Sequence, residues 1–142
     1  MFRLATPSDV EPLLPLIREF CEIDGHAFDE RLVRHALLPL LADPSLGFVL
    51  VDEALSAYAV VTWGYSLESG GREALIDEFY ARERGVGLGS AMLEEIVQRI
   101  REAGARVLFL ETELASARVR GFYARHGFTT EDSVWMQLSV VE

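Results

Sequence analysis

Leu13, Leu16, Ile17 and Phe20 recur three and four residues apart, the spacing that gathers apolar side chains on one face of a helix. Just before them, Thr6-Pro7-Ser8-Asp9 reads as a helix start, with Thr6 or Ser8 able to cap and Pro7 suited to a first-turn position. If Ser8 caps, Pro12 falls where no intrahelical N–H is needed, whereas Pro15 is expected to bend the helix. Asp24-Gly25 reads as a turn. Leu32, Val33, Ala36, Leu37, Leu40 and Leu41 predict a second helix, closed by Asp43-Pro44.

The period then changes. Gly47 to Val51 and Leu55 to Trp63 predict two strands joined by a turn at Asp52-Glu53-Ala54. The polar, glycine-bearing stretch from Gly64 to Gly71 reads as a loop, and Ala74 to Ala81 as a third long strand. Arg82 to Gly87 forms a glycine-rich turn. After it, Leu88, Met92, Ile96 and Ile100 mark the buried face of a helix running to about Gly104, with Glu94, Glu95, Arg99 and Arg101 on its wet face. Val107 to Thr112 predicts a strand, Ser116 to His126 a short helix, and a last strand region from Phe128 closes the sheet over Trp135 to Val141. The result is a mixed α/β chain of helices, antiparallel hairpins and one strand–helix–strand crossover from Ala74 to Thr112. That crossover is expected to be right-handed, with parallel strands.

At 142 residues this is one domain, 1–142, with half its residues apolar and a quarter charged. No apolar run reaches the ~20 residues that span a bilayer. The N-terminal MFRLATPSDV lacks a secretion signal's apolar stretch. A single cysteine, Cys21, cannot form an internal disulfide, and a reducing cytoplasm is the expected compartment. The 13 basic and 23 acidic residues give a net charge of −10. Such a surface repels phosphate backbones, arguing against nucleic acid as a partner, and tolerates a cationic one.

Arg84-Gly85-Val86-Gly87-Leu88-Gly89-Ser90 joins the third strand to the best helix. Glycines there let the chain turn sharply and clear side chains from an approaching ligand. Unpaired N–H groups at the helix start, together with the helix dipole, form an anion site. No lysine precedes Ser90 as a Walker loop requires. The third glycine of a Rossmann fingerprint is replaced by Ser90 or Met92, depending on the frame.

Arg84-x-x-Gly87-x-Gly89 resembles the signature of the GNAT (GCN5-related N-acetyltransferase) superfamily, and Ile76 to Ala81 resembles its fourth strand. Leu110-Glu111-Thr112, Ser116, Phe122-Tyr123 and Gly127-Phe128 resemble its second motif, in the expected order. The loop from Ala81 to Arg84 is about two residues shorter than usual, and Ser116 and Val119 stand where asparagine and alanine are common. The resemblance implies a GNAT-like fold: a mixed, mostly antiparallel sheet of about six to seven strands flanked by about four helices. It also implies acetyl-CoA as acyl donor and no metal. The pantetheine arm would pair with the backbone of Phe79 and Ala81 along Phe79-Tyr80-Ala81, as an added strand would. The pyrophosphate would be held by the turn, from Gly85 and Val86 through Gly87, Leu88, Gly89 and Ser90. Ser116 would lie near the pantetheine, and Arg84 would add charge or support the loop.

A primary amine near pKa 10.4 lies some three units from neutrality at pH 7, roughly 4 kcal/mol uphill. The site therefore needs a proton acceptor or an activated amine. Glu78, on the strand flanking the acetyl group, and Glu111, on its parallel neighbour, are the candidate bases. Alternation puts Asp77 on the face opposite Glu78. Tyr123, matching the family's acid tyrosine, would protonate the leaving thiolate or serve only as a packed anchor. A backbone N–H near Tyr80 or Ala81 would stabilise the oxyanion. Cys21 reads as core, so direct attack is expected. His26, His35 and His126 lack metal-ligand spacing. The acceptor is an amine of a small molecule or peptide. Homodimers are common among folds this small. The competing readings are a non-catalytic CoA-binding regulatory domain and a ligand-free structural domain.

Overall fold

The computed structural model describes residues 1–141. The chain divides into two units, residues 1–111 and the segment from Thr112 onward. The first carries β1 (Phe2–Leu4), a 3₁₀ turn (Pro7–Asp9), α1 (Val10–Asp24), α2 (Glu30–Ala42), β2 (Gly47–Asp52), β3 (Ala57–Ser66), β4 (Gly71–Ala81), α3 (Leu88–Glu102) and β5 (Val107–Leu110). The second carries α4 (Ala117–Arg125). The five strands lie in sequence order, antiparallel except for the β4–β5 pair, which is parallel.

Local chemistry sets most boundaries. The Asp9 carboxylate accepts from the Thr6 N–H at 2.8 Å and holds Arg3, fixing the turn into α1. The helix runs through Pro15, whose ring lies on its exposed side. The Glu11 carbonyl left without its helical N–H there can bond water instead. Asp29 caps α2 by accepting from the N–H groups of Arg31 and Leu32 at 3.1 and 3.3 Å. Asp52 closes the β2–β3 turn, accepting from the N–H groups of Ser56 and Ala57 at 2.8 and 2.9 Å. Leu55 takes a left-handed φ of 53° there. That is why β3 begins at Ala57 rather than at Leu55.

One core lies between the sheet and the N-terminal helices. Leu13, Leu16, Ile17 and Leu37 pack with Val49, Val51, Tyr58, Val60 and Tyr80. Each fully buried leucine contributes about 1.5–3 kcal/mol. The intervening residues Leu50, Ala59 and Val61 are buried on the other face. There α3 lies against β4 and buries Met92, Leu93, Ile96 and Ile100.

Four expectations change. Only Leu67 to Gly70 of the 64–71 segment is a connecting turn: β3 and β4 stay paired out to Ser66 opposite Gly71, and the Arg72 guanidinium lies 4.8 Å from the centre of the Trp63 ring. Polarity there marks a solvent-facing hairpin rather than a break. β1 is a strand that the short N-terminal run did not predict. The third change is in strand number. The described residues hold five strands instead of six or seven, because Phe128 to Val141 forms none. Val134, Trp135, Met136, Leu138, Val140 and Val141 are exposed, and β-propensity without a strand to pair with does not make a sheet. Finally, the alternation of β4 breaks at Asp77, as described below.

Candidate active site

Val60 pairs with Glu78 but its neighbour Val61 pairs with Ile76, so Asp77 is an extra residue with no partner on β3. This is a β-bulge. Past it, Glu78 and Tyr80 share a face with their partners Val60 and Tyr58, the face covered by α1 and α2. The expected opposition of Asp77 and Glu78 is therefore replaced by a local break in the pleat, with Asp77 exposed.

The ladder also fixes where backbone groups point. Arg82 donates its N–H to the Ser56 carbonyl at 3.0 Å. Antiparallel pairs alternate between bonded and non-bonded. Tyr80–Tyr58 and Glu78–Val60 are therefore bonded pairs, while the N–H and C=O groups of Phe79 and Ala81 are directed away from β3. The backbone of Tyr80 is taken up by Tyr58, so Tyr80 offers a ligand on that edge no amide of its own. On the far side, β5 keeps register with β4 only from Glu73 to Ile76, and β4 runs on to Ala81.

Beyond Ala81 the chain enters the glycine turn. Gly85 and Gly87 have φ values of 78° and 79°, left-handed conformations that cost an L side chain about 1–2 kcal/mol. Gly87 is the N-cap of α3, and the first bonded helix amide is that of Ala91, which donates to the Gly87 carbonyl at 3.1 Å. Among the described residues, the amides of Gly85, Val86, Gly87, Leu88, Gly89 and Ser90 have no backbone partner. Residues 82–87 are exposed. The turn thus presents a run of backbone N–H groups at a helix start, where the helix dipole is positive.

Arg84 is exposed and makes no hydrogen bond or ion pair among the described residues, so it does not tie the loop down. Arg82 does that. Its guanidinium grips the Glu19 carboxylate of α1 in a two-pronged contact, Nε at 2.9 Å and Nη2 at 2.6 Å. The Tyr80 hydroxyl donates to the same carboxylate at 3.2 Å. Arg82, then Tyr80, hold Glu19 below the ordinary carboxylate range despite the opposing effect of partial burial.

Glu78 is half-buried, and its Oε1 accepts a 2.6 Å hydrogen bond from the hydroxyl of Tyr58. Burial raises its proton affinity above that of an ordinary glutamate; the Tyr58 hydrogen bond acts the other way. Cys21 is buried, and burial followed by the charge of Glu78 pushes its thiol up, which makes it a poor nucleophile. Glu111 follows the end of β5, is exposed and makes no hydrogen bond or ion pair among the described residues. Of the two candidate bases, Glu78 is the half-buried one, held by the Tyr58 hydroxyl.

In the C-terminal unit, Ser116 stands at the N-cap position of α4, where its carbonyl accepts from the Arg120 N–H at 3.1 Å, and Tyr123 is buried on that helix. The Tyr123 ring packs edge-on against Phe122 and Phe128, with centroids 5.1 and 5.4 Å away. Burial pushes its phenol up to about 12. No group of His, Cys, Asp or Glu among the described residues is arranged to hold a metal.

Residues 13–128 match the model of the acetyltransferase (GNAT) family. The chain belongs to the GNAT family. As a GNAT protein it performs acyl transfer. It is similar to an integron cassette protein from the mobile metagenome of Cole Harbour Salt Marsh, with 31% identity over 99% of this chain and 91% of the other and a TM-score of 0.86. It is also similar to a protein assigned as an acetyltransferase from Arthrobacter sp. FB24, with 27% identity over 99% and 96% and a TM-score of 0.85. A protein from Clostridium acetobutylicum, assigned as an acetyltransferase and solved with acetyl-CoA, shares the GNAT fold at 20% identity over 99% and 96%, with a TM-score of 0.80. No curated protein matches the chain.

Sequence reasoning missed Tyr58, Glu19 and Arg82. Tyr58 sits twenty residues before Glu78, and nothing short of the hairpin register brings the two together. Arg82 carries a weak signal, a basic residue at the exit of β4.

Proposed function

We propose that this GNAT protein transfers an acetyl group from acetyl-CoA to an amine by direct attack. The observation that carries this reading is the continuity between two features. The pairing of β5 stops at Ile76, β4 runs on alone on that side to Ala81, and a few residues later come six amides that have no backbone partner among the described residues. An extended arm ending in a diphosphate matches that sequence of groups. The backbone of Phe79 and Ala81 would take the pantetheine arm by strand addition, and the amides from Val86 to Ser90 would take the pyrophosphate. Ser116 and Arg84 would assist from polar, accessible positions. Acetyl-CoA supplies the activated acyl group; the acceptor amine is the nucleophile.

Glu78 is the proposed base. A glutamate at its ordinary value of about 4.3 is some six units below an ammonium, roughly 8 kcal/mol for proton transfer, and each unit gained from burial removes about 1.4 kcal/mol of that gap. The backbone N–H of Tyr80 is engaged by its bonded pair with Tyr58, which removes it as the oxyanion donor. Tyr123 is proposed to serve the departing sulfur. A phenol near 12 lies about 3.5 units above a thiol near 8.5, so handing over its proton outright would cost about 5 kcal/mol. Its contribution is a hydrogen bond donated to the developing thiolate, worth about 1.5–3 kcal/mol.

The test is a panel of amines, comprising polyamines, amino acids, aminoglycosides and peptides with free N-termini, incubated with acetyl-CoA and read by thiol release. At least one amine should be acetylated at the nitrogen, as mass spectrometry would record. Tight acetyl-CoA binding with no acceptor used would favour a regulatory domain instead.

A further inference from the structure

Tyr58 has no exposed surface. Its ring packs against those of Phe20 and Tyr80, both with centroids 6.3 Å away, and its backbone is locked in the centre of the sheet opposite Val51 and Tyr80. A hydroxyl so buried must have a partner, because an unsatisfied one costs about 1–3 kcal/mol. Its partner is Oε1 of Glu78 at 2.6 Å. The ring cannot swing to follow a carboxylate that rotates away. The hydroxyl therefore selects one orientation of Glu78.

We propose that Tyr58 is the positioning residue of the base: its hydroxyl pins Oε1 of Glu78 and leaves Oε2 as the oxygen that receives the acceptor's proton. The inference rests on the amine-transfer reading above. In the step it supports, an N–H bond of the ammonium breaks, an O–H bond forms at Oε2, and the nitrogen keeps the electron pair with which it attacks. The same contact keeps the base ionised. Burial favours the protonated carboxyl, as do the negative charges of Asp77 beside it and Asp24 at the end of α1. His26, bonded to Asp24 at 2.6 Å, favours the ionised form. The Cys21 thiol facing the group is itself pushed toward neutrality by burial. Against this balance Tyr58 supplies a donor that bonds most strongly to the carboxylate, and burial keeps the Tyr58 hydroxyl itself protonated throughout the working range.

The test titrates the full chain, labelled with ¹³C at glutamate carboxyls and with no ligand added, by NMR. The Glu78 signal is identified by its loss in Glu78→Gln. In Tyr58→Phe the Glu78 midpoint should rise by about one pH unit or more, the equivalent of a charge-assisted hydrogen bond at 1.36 kcal/mol per unit. The low-pH limb of kcat/KM should rise with it while the KM for acetyl-CoA stays put. An unmoved or lowered midpoint in the folded variant overturns the inference. Should Tyr58→Phe fail to fold, the wild-type chain labelled with 3-fluorotyrosine decides. One tyrosine signal should follow the Glu78 midpoint and cease to do so in Glu78→Gln; if none does, the inference is overturned. Wild-type inactivity toward every amine refutes the parent reading, whereas an active wild type with an uncoupled Glu78 refutes this inference alone.

Discussion

Replacing Gly87 with alanine adds one methyl at the N-cap of α3, where φ is 79°. A Cβ built there meets no atom within 4 Å, so the cost is backbone strain alone, about 1–2 kcal/mol. That sum can appear in two places. If the turn keeps its shape, stability falls by the full amount, and a melting midpoint drops by roughly 3–8 °C. If the free turn relaxes, stability is kept, but the same energy is needed to bring the amides back around a diphosphate. The dissociation constant for acetyl-CoA then rises about 5- to 30-fold, at 1.4 kcal/mol per tenfold. The two losses together should total about 1–2 kcal/mol. Gly25→Ala is the matched control: its φ is 76°, it also has nothing within 4 Å, and it lies at the end of α1, away from the turn. It should lose stability only. Urea unfolding and calorimetric titration with acetyl-CoA measure both quantities for both variants. No loss of either kind in Gly87→Ala, or weakened acetyl-CoA binding in Gly25→Ala, would refute the reasoning.

Glu78→Gln should lower kcat by about 10²–10⁴. It should also remove a low-pH limb of kcat/KM whose midpoint in the wild type lies above the ordinary glutamate value, as rate measurements across pH 4–9 would establish. Tyr123→Phe should lower turnover about ten- to a hundred-fold, the kinetic equivalent of a hydrogen bond to a charged sulfur, with acetyl-CoA affinity held; full turnover where chemistry limits the rate would remove the role. Glu19→Gln should loosen Arg82 and weaken acetyl-CoA binding severalfold while leaving the Glu78 titration in place, a pair of readouts that calorimetry and NMR separate. Asp9 is held at about 2, against an ordinary 3.8, chiefly by the hydrogen-bonded Arg3 guanidinium. A depressed carboxyl contributes stability that is complete above about pH 4 and is lost as the pH falls toward 2. Arg3→Ala should therefore flatten the acid-unfolding profile in that window, as followed by circular dichroism.

What the chain disclosed in advance divides along physical lines. Helices α1 to α4 and the central strands were legible because each carries its own period and its own punctuation: Gly25 after α1, Asp43-Pro44 after α2 and the glycines around α3 act within a few residues of themselves. The glycine turn and its run of helix-start amides were legible for the same reason, since left-handed glycines before a helix are a local feature. Glu78 could be nominated from its strand, but its environment could not. The Tyr58 hydroxyl, the Glu19–Arg82 clamp reaching across sixty residues and the engaged amide of Tyr80 all follow from register, a property of pairs of strands. The apolar alternation of Trp135 to Val141 misled in the opposite direction: it has the composition of a strand, yet pairing requires a neighbour as well as propensity. Arg84 was singled out by the motif, while the neighbouring Arg82 makes the contacts.

The unpaired residue at Asp77 works like a single inserted letter that shifts a reading frame. Below it, even-numbered side chains such as Ala74 and Ile76 turn to the layer of α3; above it, the even-numbered Glu78 and Tyr80 turn to the layer of α1. One strand thereby serves two layers without changing the parity of its sequence. Excising residue 77 would remove that letter and leave Ile76 and Glu78 as ordinary neighbours on opposite faces, so the carboxylate would stay on the side of the phenol that now holds it. The extra residue is what lets Ile76 and Glu78, two positions apart on one strand, face opposite layers.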